Sequence, residues 1–183
     1  RAVVTVQSGL TKNSPLRERI VDRSRGATNV YPFLASLRDH PSLRRLCLRG
    51  DVGDLTELET LLLSDNSKIT ELEIHRFYRG PPMVGLTHVL QALARHPTLT
   101  KLGLRHCPLS RDEARLLRIA LYNIPSLQSL VLTHGTLGSA GGLAELAPAL
   151  YHNTSIKMLE ISGNNLIDRE SAGYIRDIIQ RNK

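Results

Sequence analysis

The chain has 183 residues, 41% of them hydrophobic and 22% charged, with a formal net charge of +7. That is the profile of one globular domain with a sizeable core, and no apolar run reaches the ~18 residues that a membrane-spanning helix needs. Two cysteines, Cys47 and Cys107, exclude a disulfide scaffold and point to a reducing, intracellular compartment, the cytoplasm foremost.

The chain opens on Arg1-Ala2-Val3-Val4-Thr5-Val6, too short an apolar stretch for a signal peptide. It has no initiator Met, so it reads as a fragment or a processed chain. Val4 and Val6 suit one strand. Thr11 to Asn29 carries Lys12, Arg17, Glu18, Arg19, Asp22, Arg23 and Arg25 among Ser and Gly, a balance of +3. It reads as an inserted loop or helix–loop. Residues 1–31 are therefore an irregular N-terminal segment, or a partial first repeat with a basic loop, and Tyr31 to Arg38 finish its helix.

From residue 32 onward the chain repeats itself. The pattern Leu-x-x-Leu-x-Leu appears as Leu43, Leu46 and Leu48, then as Ile69, Leu72 and Ile74. It returns as Leu99, Leu102 and Leu104, as Leu127, Leu130 and Leu132, and as Ile156, Leu159 and Ile161. The middle members are 26, 30, 28 and 29 residues apart. Position nine holds Cys107 and Asn164 in the third and fifth blocks; position eleven holds Leu109, Leu137 and Leu166 in the last three. The first two blocks depart from the pattern, with Asp51 and Phe77 at position nine and Gly53 and Arg79 at position eleven.

Helices fill the intervals. Val84 to Arg95 places Leu86, Val89, Leu90 and Leu93 on one helical stripe. Ser110-Arg111-Asp112-Glu113 is a capping box that opens a helix through Tyr122. Asp168 is placed to cap a last helix with Ile175, Ile178 and Ile179 on its inner face. The links His40-Pro41-Ser42-Leu43, His96-Pro97-Thr98-Leu99 and Ile124-Pro125-Ser126-Leu127 use proline to stop a helix and start a strand. Asn153-Thr154-Ser155-Ile156 takes the same place without proline.

This signature resembles the leucine-rich repeats of the ribonuclease-inhibitor class across residues 32–183. The segment Leu137 to Ile156 carries the helix and link of that class, apart from Pro148, which is expected to kink the helix. The resemblance implies an α/β fold: a curved solenoid of about five repeats, with parallel strands on the concave face and helices on the convex face. A single unit cannot bury its apolar face alone, so neighbours must stack. The class includes inhibitors, innate-immune sensors, GTPase-activating proteins and actin-capping proteins. It therefore implies the holding of a macromolecule and no single activity.

Strand side chains alternate, so residues between the leucines point out of the concave face. Position three supplies Arg45, Glu71, Lys101, Ser129 and Met158. Position five supplies Cys47, Glu73, Gly103, Val131 and Glu160, and position seven supplies Arg49, His75, Arg105, Thr133 and Ser162. The N-terminal part of this face is charged and the C-terminal part is small and neutral. Arg45, Arg49, Glu71, Glu73, His75, Lys101 and Arg105 are the candidate partner-binding residues. The competing reading is that these charges only pair across the ladder. Phe77-Tyr78-Arg79-Gly80-Pro81-Pro82 lengthens its repeat; it is either a lateral contact or a loop that packs Phe77 inward.

Catalytic and cofactor motifs are missing. Gly138-Ser139-Ala140-Gly141-Gly142 lacks the Gly-Lys-Ser/Thr ending of a P-loop and belongs to a helix start. His106 and His134 share position eight, about 5 Å apart by strand spacing, but no Cys, Asp or Glu recurs there to complete a metal site. Cys107 beside His106 sketches a nucleophile pair, yet position nine is internal and suits a buried apolar thiol. Cys47 and Cys107 lie two strands apart, about 10 Å, too far for a disulfide.

The expectation is a non-enzymatic scaffold without cofactor. It binds another protein through an acidic patch on that protein, with no membrane and no small-molecule substrate. Arginine accounts for 19 of the 24 basic residues and pairs well with carboxylates and phosphates. RNA is thus a second possible partner, in a ribonucleoprotein particle touched by Lys12 to Arg25. A small-GTPase regulator is a third reading, weakened because such members are acidic at their ends. The 4% aromatic content, with no Trp, argues against single-strand stacking.

Overall fold

The computed structural model describes residues 18–23, 31–38, 40–50, 53–76, 83–138, 141–165 and 173–178. Strand and helix alternate. The elements are β1 (Glu18–Arg23), α1 (Tyr31–Leu37), β2 (Arg45–Gly50), α2 (Thr56–Leu63), β3 (Glu71–His75) and α3 (Leu86–Leu93). They continue with β4 (Lys101–Arg105), α4 (Arg111–Asn123), β5 (Ser129–Thr133), α5 (Gly142–His152) and β6 (Met158–Glu160). Residues 173–178 are also helical. The strands form one parallel six-stranded sheet in sequence order.

Register follows the repeat. Leu46, Leu72, Leu102, Leu130 and Leu159 are partners on successive strands. Leu48, Ile74, Leu104 and Leu132 form the rung beside them. The helices close the core from the other side. Leu58, Leu61 and Leu62 of α2, Val89, Leu90 and Leu93 of α3, Leu117 and Leu121 of α4, and Leu146 and Leu150 of α5 are buried. Strands stack at about 4.8 Å and helices at about 10 Å, so a stack with all its helices on one side must curve, with the sheet concave.

Caps set the helix ends. At α4, Glu113 N donates to Ser110 Oγ at 3.2 Å and Ser110 N donates to Glu113 Oε2 at 2.8 Å, the expected capping box. At α2 the N-cap position is Leu55, which has no side-chain cap, and Asp54 just before it accepts through Oδ1 from Thr56 N at 2.9 Å and Thr56 Oγ1 at 2.6 Å. Those bonds hold its carboxyl below the usual carboxylate range. The stripe read from Val84 begins later: Gly85 takes a left-handed φ of 85° before α3, and Val84 instead bridges Asp54. Helix α5 runs through Pro148. Ala144 and Pro148 are both exposed, so the carbonyl that proline deprives of its donor lies on the solvent side.

Residues 18–23, read as part of a loop or helix–loop, form β1, paired with β2 from Glu18↔Arg45 to Arg23↔Gly50. The pattern is hidden because Arg19 is the partner of Leu46, at the place where the other strands carry leucine. Val4 and Val6, Asp51, Phe77 to Pro82, Leu166, Asp168 and Ile179 lie outside the described residues.

Candidate partner-binding face

The three concave rows line up as the alternation requires. Arg45, Glu71, Lys101, Ser129 and Met158 are partners in one row. Cys47, Glu73, Gly103, Val131 and Glu160 form the second, and Arg49, His75, Arg105 and Thr133 the third. All seven candidate residues therefore lie on β2, β3 and β4 of one face. The floor of that face is closed: Cys47, Gly103, Val131 and Thr133 are buried beneath the longer side chains. Cys47, placed by alternation in an outward row, is thus covered. Burial pushes its thiol up despite the neighbouring Arg49.

The charges are organised in pairs that cross strands. Arg45 donates to Glu71 through Nε to Oε2 at 2.6 Å and through Nη2 to Oε1 at 2.9 Å, a fork-to-fork arrangement. That contact, with Lys101 nearby, holds the Glu71 carboxyl below its ordinary value. Lys101 pairs diagonally with Glu73. Glu73 can lie flat because the next residue in its row is Gly103, where a Cβ would stand 3.1 Å from Glu73 Cγ. Arg105 reaches over β5 to Glu160 on β6, at 3.3 and 3.2 Å, and touches Thr133 Oγ1 at 3.4 Å on the way. The short side chains of Val131 and Thr133 leave room for that arm.

The rim beyond the strands brings His106 and His134 together as their shared position eight implies, and adds His75, which spacing did not. His75, His106 and His134 stack face to face, with ring centroids 5.6 and 4.5 Å apart and planes within 11° and 6°. His106 and His134 both take φ of 54°, and Gly50 and Gly163 hold the same position eight at 95° and 71°. A left-handed residue here turns the chain out of the strand, and histidine tolerates it better than bulkier residues. Gly163 closes the stack, since a Cβ on it would collide with the His134 ring. The signal was present as His at position seven of one repeat and position eight of the next two.

The stack is poorly suited to metal. Parallel rings direct their nitrogens side by side, and among the described residues no three His, Cys, Asp or Glu side chains converge as ligands. His106 Nδ1 is buried with no hydrogen-bond partner among the described residues. Burial, then His134, His75 and Arg105, push the His106 pKa down.

Position nine is structural. Asn164 Nδ2 donates to Leu132 O at 2.6 Å and Ile161 O at 2.8 Å, while Gly135 N donates to Asn164 Oδ1 at 2.9 Å. One buried amide thus serves backbone groups of two repeats, which would otherwise be costly orphans. Cys107 occupies the equivalent place one repeat before Gly135, and burial pushes its thiol up to about 12. At neutral pH it is a thiol and no nucleophile. Both cysteines are free. A Cβ on Gly138 would collide with the Asn164 and Asn165 carbonyl oxygens, and Gly141 takes a left-handed φ of 64°, so these two glycines serve the turn into α5 without a phosphate.

A search of solved structures finds the tropomodulin C-terminal domain of Caenorhabditis elegans. It is 14% identical, with a TM-score of 0.51, over 93% of this chain and 86% of that one. The fold is a leucine-rich-repeat solenoid. No protein-family model and no curated sequence matches the chain. At 14% identity the likeness speaks for the fold and leaves the partner to be argued from this chain's own surface. No helix among the described residues is long and apolar enough to cross a membrane.

Proposed function

We propose that this solenoid is a non-catalytic scaffold that holds an acidic patch of another protein on its concave face. The observation that carries the reading is the ordered charged surface of β2 to β4. Arg45, Arg49, Glu71, Glu73, His75, Lys101 and Arg105 stand in register over a closed floor. Exposed ion pairs add only about 0–1 kcal/mol each to stability, so folding gains little from their arrangement. Their forks can exchange internal carboxylates for those of a partner with no backbone change. Arginine is enriched at interface hot spots, which makes Arg45, Arg49 and Arg105 the leading contacts.

Repeats of 28 to 29 residues with helices of 11 to 13 residues at α4 and α5 support placing the chain near the ribonuclease-inhibitor class. Cross-linking mass spectrometry of the native protein tests the docking face. The proposal expects partner cross-links at Lys101, Glu71 and Glu73. Cross-links confined to the helical side, or a monomer with no partner, would contradict it.

A further inference from the structure

The rim is the most cationic part of the concave face. From β2 to β6, positions seven and eight carry Arg49, Arg76 and Arg105 with His75, His106 and His134, and no carboxylate. On β1 the register adds Asp22 beside Arg49 and Arg23 beside Gly50. The carboxylates of β3 stand in the other two rows, where Glu71 pairs with Arg45 and Glu73 with Lys101. Glu160, from the row of position five, is bonded to the rim through Arg105. The strip is therefore basic with its imidazoles neutral, and their titration can only make it more so.

The backbone holds these rings in place. Arg76 N, His106 N and His134 N donate to Arg105 O, Thr133 O and Ser162 O at 2.9, 2.8 and 2.9 Å, which carries the ladder one residue past the strands. His106 thereby stands between His75 at 5.6 Å and His134 at 4.5 Å, and Gly163 lies against the far side of the His134 ring. Like charges this close oppose each other, so neighbouring rings are not readily charged together. Charging His106 would also strand an N–H at its buried Nδ1. The outer rings differ: His134 is exposed, His75 is half-buried, and His106 separates them. Among the described residues, the strands bring to the stack Arg49 from β2, Arg76 after β3 and Arg105 from β4, while β5 and the turn after β6 bring Thr133, Ser162 and Gly163. The three arginines oppose a charged imidazole. Carboxylates from outside would reverse that balance, because an opposite charge within about 4–6 Å favours the protonated ring by about one to three powers of ten.

We propose that this rim is the proton-coupled part of the concave docking site: carboxylates of an acidic protein segment lie along His75, His106 and His134, and docking charges the outer rings. The inference rests on the reading of the concave face as a site for an acidic patch, and adds the regulation of that site. At the two ends of the stack, neutral rings become N–H donors to carboxylates, with neutral His106 as the spacer. Docking takes up protons, so the partner is held more tightly as pH falls, until its own carboxylates protonate near about pH 4.

The test is an anisotropy titration of the intact chain with a rhodamine-labelled octa-aspartate peptide, at fixed ionic strength and at pH 7.5, 6.5 and 5.5. Affinity should rise about tenfold or more from the first to the last. H75Q/H134N places an Asn where φ is 54°, a conformation Asn tolerates. It should keep the pH 7.5 affinity within about twofold and lose the rise. R45Q, outside the rim, should weaken binding severalfold at every pH and keep the rise. Thermal melts check that the variants fold. Independently of them, NMR of the parent's histidine ring signals should show two imidazoles titrating at higher pH once the peptide is present. A flat affinity, a rise that survives H75Q/H134N or disappears in R45Q, or imidazole titrations unmoved by the peptide overturns the coupling and leaves the concave-face reading standing. No binding at any pH overturns both. Tighter binding of a uridine octamer than of the peptide overturns the choice of an acidic protein segment.

Discussion

The two faces of the sheet are built from alternate residues of the same strands, yet they follow different rules. On the under side, Leu46, Leu72, Leu102 and Leu130 are fully buried, each pressed between neighbours on both sides. On the upper side, Arg45, Glu71, Glu73, Lys101 and Arg105 remain partly exposed and meet through long, adjustable arms. The comparison teaches that stability and recognition have been assigned to opposite faces of one element. Substitutions below should unfold the protein with little specific effect on binding, and substitutions above should do the reverse.

The largest effect should come from a central rung. Leu102→Ala removes a fully buried side chain and should cost about 2–5 kcal/mol, read as a drop in the denaturant midpoint. Leu159→Ala in β6 sharpens the contrast along the stack. Leu159 is only partly buried, and its loss should cost clearly less than that of Leu102. Equal losses would show that the last repeat is as tightly packed as the middle ones.

Asn164→Ala comes next. It strands the half-buried Gly135 N–H and the buried Leu132 carbonyl, which should cost about 1–3 kcal/mol, with hydrogen exchange rising first at Gly135. If exchange there stays as slow as in the parent, the bridging role of Asn164 is wrong.

The rungs were legible in the sequence because a leucine cannot be moved off the buried face without breaking the roughly 28-residue rhythm. The first strand was not, since Arg19 stands where the pattern asks for leucine. The concave rows were equally legible, because strand side chains alternate whatever their identity. Pairing across the ladder was legible too, and Arg45 with Glu71 follows it; the diagonal and longer-range choices were not. Lys101 chooses Glu73 and Arg105 chooses Glu160 because Gly103, Val131 and Thr133 leave low ground between longer neighbours, a matter of depth that spacing does not record. The nearness of His106 and His134 was legible from their shared position, but the place of His75 was hidden, because left-handed turns at His106 and His134 carry their rings into line with it.

Titration tests a smaller contribution. His96 is buried, with Ser67 Oγ 3.3 Å from its Nε2, and burial lowers its pKa from the ordinary 6.5. His106 is lowered likewise. Below about pH 6.5 the unfolded chain takes up protons that the folded chain refuses, so stability is greatest above that pH and falls as pH drops through the window beneath it. The melting temperature should decline between pH 7 and pH 5, and H106N, which keeps a residue suited to φ of 54°, should flatten the decline. A second loss should begin below about pH 4.5, where Glu71 and Glu145 become protonated and release their arginines. A flat profile between pH 7 and pH 5 would contradict the assigned burial of these imidazoles.

The smallest stability effect belongs to the upper face, and it carries the functional claim. Arg45→Glu combined with Arg105→Glu reverses two charges on exposed arms. The most direct measurement is to purify this double variant and the parent side by side, comparing melting temperature and recovery of bound partner. The account predicts a melting temperature shifted by only a few degrees, since exposed pairs are worth about 0–1 kcal/mol each, together with at least a tenfold loss of partner. A variant that keeps its partner at parental levels, while melting as the parent does, would contradict the assignment of recognition to the concave face.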